Sequence, residues 1–498
     1  MADTIDALVR SQAEQYGDKA AVIDPTTRIS YAELNQTTTD LAAALMAAGV
    51  TKGSRVGLIM PNNVGWVQIA IALTRIGAVL VPLSTLLIGP ELEAQLRVAS
   101  VRYLIAVEEF RGHRYLDDLP DLPALQHVWR VDDLPTGCEK VSANELVGTV
   151  APADPLVVMF TSGSSGTPKG VIHSHGSALG AVRSGLSARC IDADTRLYLP
   201  MPFFWVGGFG SGILSALLAG ATLVTEEIPQ PDTTLRLLER ERVTLFRGWP
   251  DQADALARRA ADVGADLSAL RPGSLEALLP AEQRGEPGAR AKLFGMTESF
   301  GPYCGCAADT DMPRSAWGSC GKPFAGMEVR IVDPAAGGPL PANTIGMIEI
   351  RGPHTLRGIC RRSREDVFTP DGYYPTGDLG LLDGDGFLFY HGRSDDMFKV
   401  SGATVYPSEV EAALRSIDGV HAAYVTNVNG RVGAAVVCKG AGVEDLRDAA
   451  RKLLSSFKVP TVWVLLDSDD EIPRGTTGKV DTSRLRELLA PDRTASRK

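Results

Sequence analysis

The feature that most constrains this chain is a run of small residues, Thr161-Ser-Gly-Ser-Ser-Gly-Thr-Pro-Lys169-Gly170, set between two apolar stretches. Upstream, Leu156–Thr161 reads as a β-strand, and downstream Gly170-Val-Ile-His reads as the start of another. A Gly/Ser/Thr loop alone could be a linker, but a linker does not sit between two core strands. Small side chains let backbone amides approach an anion, the hydroxyls of Ser162, Ser164, Ser165 and Thr167 add donors, and Lys169 adds charge. Gly163 and Gly166 keep the backbone open, so the loop is read as a phosphate cradle. It is not an ordinary P-loop, because Pro168 precedes the lysine and a strand rather than a helix follows it.

Around that unit, the front half alternates β-rich and helical stretches, the pattern of an α/β layered fold. Arg55–Met60 predicts a strand, Val64–Ile76 a helix and Ala78–Pro82 the next strand. The apolar run Val64–Leu83 is interrupted by Gln68, Thr74 and Arg75, which makes it too polar for a membrane span. At 498 residues the chain exceeds one ordinary core, so two or three packed units are expected. Near residue 392 the character changes. A polar stretch, Gly392–Asp396, leads to a unit that from Ser408 reads helix, strand, strand, helix, strand, a small α+β domain. There Ser408-Glu-Val-Glu411 has the form of a capping box, and Leu446, Ala450, Leu453, Leu454 and Phe457 fall on one helical stripe.

Charge narrows the partners. A net charge of −10 with acidic and basic residues mixed disfavours nucleic acid, which needs a basic face. An apolar content of 44% fits a soluble globular protein. Met1–Arg10 holds two Asp and no basic cluster before an apolar stretch, so no secretory signal is expected and the cytoplasm is the default. Seven scattered Cys make no disulfide framework, and Cys304-Gly-Cys306 lacks zinc-knuckle spacing, so both are read as small buried hydrophobes.

Four further motifs follow the loop. Phe294-Gly295-Met296-Thr297-Glu298 alone could start a helix. Tyr374-Pro-Thr376-Gly377-Asp378 could be a turn. Gly392-Arg393-Ser394-Asp395-Asp396, followed by Lys399-Val-Ser-Gly402, could be a linker with a surface ion pair. Pro473-Arg-Gly475-Thr-Thr-Gly-Lys479 could be a solvated loop. Taken with the loop, in this order from about Tyr31 to Lys479, they make the chain resemble the acyl-adenylate-forming enzymes: acyl-coenzyme A synthetases, firefly luciferase and the adenylation domains of peptide synthetases.

That resemblance implies a large N-terminal domain of layered α/β subdomains, residues 1–394, and a small mobile α+β domain, residues 395–498. It implies an enzyme that uses ATP and magnesium to turn a carboxylic acid into acyl-AMP, then passes the acyl group to coenzyme A. Thr161 and the loop would hold phosphate, Phe294 would pack on adenine beside Gly295 and Met296, Thr297 would meet the α-phosphate, and Glu298 would hold magnesium. Asp378 would accept from the ribose hydroxyls, and Arg393 would contact the nucleotide. Asp395 would be the hinge, Gly402 would lie beside the pantetheine tunnel, and Lys479 would be the catalytic lysine. A homodimer is compatible with it.

The sequence departs from the family pattern in three places. Where Gly-Gly-Ala-Pro usually lines the adenine site, this chain has Leu275-Glu-Ala277-Leu278, of which only Ala277 carries over. Trp205 stands where many members have a histidine that gates the thiol channel, and Gly475 replaces a commoner threonine. The stretch Phe203-Phe204-Trp205-Val-Gly-Gly208 lacks the aspartate that peptide-synthetase domains use for an amino group. With Trp249 and Met296 it would make an apolar pocket for a fatty, alicyclic, steroid-like or aromatic acid, although core packing explains aromatics equally well. An enzyme that loads a separate carrier protein, a luciferase-like oxygenase and a nucleotide-binding protein without catalysis would share these motifs.

Overall fold

The computed structural model describes residues 2–87, 89–117, 119, 122–136, 150–161, 168–394, 398–400, 403–454, 458–475 and 480–490. The chain divides into two compact units that interleave in sequence. One comprises Met1–Val329, Ile350–Tyr374 and Gly386–Leu388; the other comprises Arg330–Glu349, Pro375–Asp385 and Phe389–Lys498.

In the first unit, alternation along the strands builds layers. A seven-stranded sheet runs in the order Gly358–Ile359, Lys169–Ser174, Pro155–Thr161, Val79–Pro82, Arg55–Ile59, Tyr103–Ala106, His127–Arg130. Leu58, Leu80, Val157 and Ile105 point to one side, while Ile59, Val79, Val81, Val158 and Leu104 point to the other. A five-stranded sheet, Leu245–Phe246, Arg196–Tyr198, Thr222–Val224, Ala20–Ile23, Arg28–Ser30, divides its side chains the same way. Leu197, Leu223, Val22 and Leu245 join the core of the larger sheet; Tyr198, Val224, Ile23 and Phe246 meet helices Pro231–Arg240 and Pro250–Val263. Period-2 burial on both faces is what a sheet covered by helices requires.

The expected first elements form with small boundary shifts: strand Arg55–Ile59, helix Val64–Arg75, strand Val79–Pro82 and strand Pro155–Thr161. Asn63 caps the helix by accepting from Trp66 N. Arg75, which breaks the apolar run in the sequence, is fully buried and held by Asp6 at 2.8 Å and Thr38 Oγ1 at 2.9 Å. Among the described residues, no helix is long and apolar enough to cross a membrane.

In the second unit, the expected order helix, strand, strand, helix, strand appears as Pro407–Arg415, Val420–Val428, Arg431–Cys438, Val443–Leu453 and Val462–Leu466, with a further helix, Thr482–Leu489. Ala434 and Val436 pack with Val410, Leu414, Leu446 and Ala450, while Ala435 and Val437 pack with Leu485 and Leu489. Two local expectations are corrected. Pro407 takes the first helical position, so Ser408 already lies inside the helix; its hydroxyl donates to His391 O instead of capping. Glu411 reaches across to accept from Val425 N at 2.9 Å. Leu453 is 52% exposed and off the buried stripe, and Phe457 lies outside the described residues.

Candidate active site

The loop strands pair antiparallel, with Thr161 directly opposite Lys169, so the two residues flank the Gly/Ser/Thr segment at one level of the sheet. Lys169 carries its ammonium to the Glu298 carboxylate, an ion pair across 129 positions of sequence. Tyr374 completes the cluster: its hydroxyl accepts from Lys169 Nζ at 2.6 Å and donates to Glu298 Oε1 at 3.0 Å. The Glu298 side chain is 6% exposed and that of Lys169 18%. A buried carboxylate keeps its charge only with such partners. The carboxylate is therefore paired and fixed in place, which suits a hard cation bound by one acid together with phosphate oxygens. Among the described residues no group of three acids, His or Cys gathers as a metal cage.

Glu298 is positioned by a tight hairpin. Phe294–Met296 pairs antiparallel with Gly301–Gly305, with Gly295 opposite Pro302. A Cβ at Gly295 would lie 2.0 Å from Gly301 O, so only glycine lets the strands close there. Thr297–Ser299 forms one turn of 3₁₀ helix, and Phe300 sits in the left-handed region at φ 52°. The turn is tied to the loop strand by His173, whose Nε2 lies 2.8 Å from Thr297 O. Burial pushes His173 down to about 4, so at neutral pH it is the neutral imidazole, donating from Nε2 to that carbonyl. Its ring meets Phe300 edge to face at 4.9 Å. Thr297 and Glu298 are thus anchored to the strand that bears Lys169. Neither His173 nor Tyr374 stood out as a site residue in the sequence, although Tyr374 opens one of the motifs. Phe294 presents its ring to Tyr303 at 5.6 Å, edge on.

In the second unit, Asp378 and Arg393 come together. Arg393 Nη1 donates to Asp378 Oδ1 at 3.2 Å and to Thr376 O at 2.9 Å, and the Asp378 amide donates to Thr376 Oγ1 at 3.0 Å. Gly377 has φ 75°, and a Cβ there would stand 2.7 Å from Arg393 Nη2. A glycine is needed both for the turn and for the guanidinium. Asp378 is 7% exposed, its carboxylate aligned by an arginine, an arrangement able to accept from paired hydroxyls.

The aromatic stretch divides. Phe203 is fully buried against Trp66 at 5.3 Å inside the main core. Phe204, Trp205 and Trp249 do form a cluster, with edge contacts at 5.7 Å and 6.0 Å. A π-helical segment, Gly207–Leu214, follows them. Its wide turns bring Gly208 so near the preceding chain that a Cβ would lie 2.1 Å from Pro202 O. Met296 is half-buried at the end of the hairpin strand. Ala277 packs with Leu278 and Phe246 on the outer face of the five-stranded sheet; its contacts there are with the core. Ser162, Gly163, Ser164, Ser165, Gly166, Thr167, Asp395, Gly402 and Lys479 lie outside the described residues.

The AMP-binding enzyme family matches residues 9–360. A 3-[(3aS,4S,7aS)-7a-methyl-1,5-dioxo-octahydro-1H-inden-4-yl]propanoyl:CoA ligase of Mycobacterium tuberculosis is 33% identical, over 97% of this chain and 99% of its own. An indoleacetate–CoA ligase of Aromatoleum aromaticum is 31% identical over 95% of each chain. In fold, the chain is similar to O-succinylbenzoate coenzyme A synthetase of Bacillus subtilis in complex with AMP, with a TM-score of 0.81, 24% identity and coverage of 96% and 98%. The matched stretch contains the loop strands, Lys169 and Glu298, and full-length likeness to coenzyme A ligases extends it over the remainder of the chain. The chain belongs to the AMP-binding enzyme family and is an AMP-forming acid–CoA ligase, working with ATP and coenzyme A.

Proposed function

We propose that this enzyme activates a hydrophobic, ring-bearing carboxylic acid in the cytoplasm through the Lys169–Glu298–Tyr374 cluster and its adjoining loop. The observation that carries this reading is the placing of a buried carboxylate and an ammonium at the mouth of a Gly/Ser/Thr loop, with Thr297 beside them. The substrate carboxylate attacks the α-phosphorus of ATP; the bond to the β-phosphate oxygen breaks and pyrophosphate leaves. The resulting acyl-AMP has a good leaving group, which oxide is not, and a thiol then displaces AMP. Thr161, Ser162 to Thr167 and Lys169 hold the phosphates, Thr297 meets the α-phosphate, and Asp378 with Arg393 holds the ribose side of the nucleotide. Magnesium bound to Glu298 would supply charge neutralisation at those phosphates. Lys169 would then turn from the carboxylate to phosphate.

Residues 395–498 act in this reading as a mobile domain turning about Asp395, presenting Lys479 for adenylation and the Gly402 loop for thioester formation. Ring-bearing acids are favoured over plain fatty acids by the indoleacetate and dioxo-indenyl propanoyl relatives and by the Phe204–Trp205–Trp249 cluster. Thioester formation with coenzyme A across a panel of straight-chain, aromatic and polycyclic acids tests it. Aromatic or polycyclic acids should lead by at least about 10-fold in kcat/KM, the scale of apolar pocket discrimination. Equal or better use of long-chain fatty acids would overturn the choice. In the same panel, Trp205→Ala should shift preference toward bulkier acids if Trp205 walls the channel. If the indole is only packing, a large loss of melting temperature with unchanged preference order follows instead, since cavities of this kind cost about 3–5 kcal/mol.

A further inference from the structure

Arg189 is an arginine in the wrong place for a surface charge. It lies in the turn after helix His175–Ser184, 3% exposed, and among the described residues it makes no ion pair. Nη1 donates to Val182 O at 3.1 Å, whereas Nε and Nη2 meet no protein acceptor. Its neighbour in space is a second arginine: Arg247 donates from Nη2 to Arg189 O at 3.0 Å, and its Nε also meets no protein acceptor. Burial and the charge of Arg247 together pull Arg189 down to about 10. The acidic group whose charge reaches the pair is Asp309, exposed and acting on Arg247 along with the Cys190 thiol. A buried guanidinium beside a second, half-buried one is costly without an acceptor to answer their donors.

The direction of those donors matters. Gly185 leaves room for the guanidinium, since a Cβ there would stand 2.9 Å from Nη1. Nη2 lies 3.6 Å from the point a Cβ of Gly301 would occupy, and Ser211 Oγ lies 3.9 Å from the same point. Gly301 opens the return strand of the hairpin that carries Met296, and Ser211 belongs to the π-helical segment that follows Trp205. Arg247 precedes Trp249 by two residues. The return strand of the hairpin and the π-helical segment that follows Trp205 therefore meet beside Arg189 Nη2.

We propose that Arg189, supported by Arg247 and Ser211, binds an acceptor oxygen on the acyl chain, remote from the carboxyl that is activated. The enzyme's acid is thus one with a second oxygen function, a carboxylate or a ketone, rather than a pure hydrocarbon acid. This rests on the assignment of the aromatic cluster to the acyl side of the active site. A charged oxygen answers both the donors and the uncompensated charge, so a second carboxylate should bind best.

The test is ATP–pyrophosphate exchange with three acids of one shape: 3-phenylpropanoate, 3-(4-acetylphenyl)propanoate and 3-(4-carboxyphenyl)propanoate. The two oxygenated acids should exceed the first by at least about 10²-fold in kcat/KM, as sites built around buried donors discriminate strongly. Their order then identifies ketone or carboxylate. In Arg189→Met the ratio of oxygenated to plain acid should collapse toward one, and Arg189→Lys should restore part of it. Melting temperatures are measured alongside; if Arg189→Met does not fold, the wild-type ratios and Arg189→Lys decide the question. Exchange with all three acids at similar rates, with ratios unmoved by either variant, overturns the oxygen site while leaving adenylation intact. Exchange with none of these or any other ring-bearing acid overturns the acyl-side reading itself.

Discussion

Lys479→Ala should slow acyl-AMP formation by at least about 10²–10³-fold, the scale of losing one preorganised charge aimed at a developing anion. Thioester formation from supplied acyl-AMP should continue at close to the original rate. In the first half-reaction negative charge shifts onto the departing pyrophosphate, where a cation helps, and in the second no phosphate bond to pyrophosphate breaks. Pyrophosphate exchange measures the first half alone, and release of AMP from synthetic acyl-AMP plus coenzyme A measures the second. Equal loss in both halves would contradict the division of labour assigned to residues 395–498.

Glu298→Gln should also lower ATP turnover by at least about 10²-fold, because it keeps shape and removes the charge proposed to hold magnesium. In the structure Glu298 answers Lys169 and Tyr374. Breaking a buried ion pair commonly costs about 3–5 kcal/mol, since one charge is stranded. Here the Lys169 side chain is 18% exposed, so its ammonium can turn to water and the fold should persist. Activity titrated against magnesium, with melting temperature measured in parallel, separates the two effects. A steep rise in the magnesium needed for half-activity supports the assignment. An unchanged magnesium dependence would show that Glu298 serves only to pair Lys169.

Local pattern made the layered half of the molecule legible. Leu58 against Ile59, and Leu80 against Val79 and Val81, alternate because a strand turns successive side chains to opposite faces. The two strands that flank the segment after Thr161 were legible for the same reason. The Lys169–Glu298 pair and the Lys169–Tyr374 contact, across 129 and 205 positions, depend on how the sheets stack, and no local period encodes that. His173 reads as one more strand residue until its bond to Thr297 O is seen. Ser408 shows the converse. Its spacing to Glu411 has the capping-box form, but Pro407 already occupies the first helical position, and the hydroxyl goes elsewhere. Phe203 and Phe204 are adjacent and chemically identical, yet one is core and the other borders the tryptophan pair. Arg189 carried no signal at all, because burial of an arginine is decided by its neighbours in space.

The chemistry proposed for this site turns on one bond: the substrate's own carboxylate oxygen becomes joined to the α-phosphorus of ATP before the thiol enters. Isotope transfer follows that bond directly. The acid is labelled with oxygen-18 in its carboxylate and incubated with ATP, magnesium, coenzyme A and the enzyme, and the phosphate products are analysed by mass spectrometry. Attack on the α-phosphorus makes a labelled oxygen the bridge in acyl-AMP, and thiol attack at the carbonyl carbon leaves that oxygen on AMP. One labelled oxygen should therefore appear in AMP for each thioester formed, with none in pyrophosphate. Unlabelled AMP, or label appearing in inorganic phosphate together with ADP, would contradict this order of bond making.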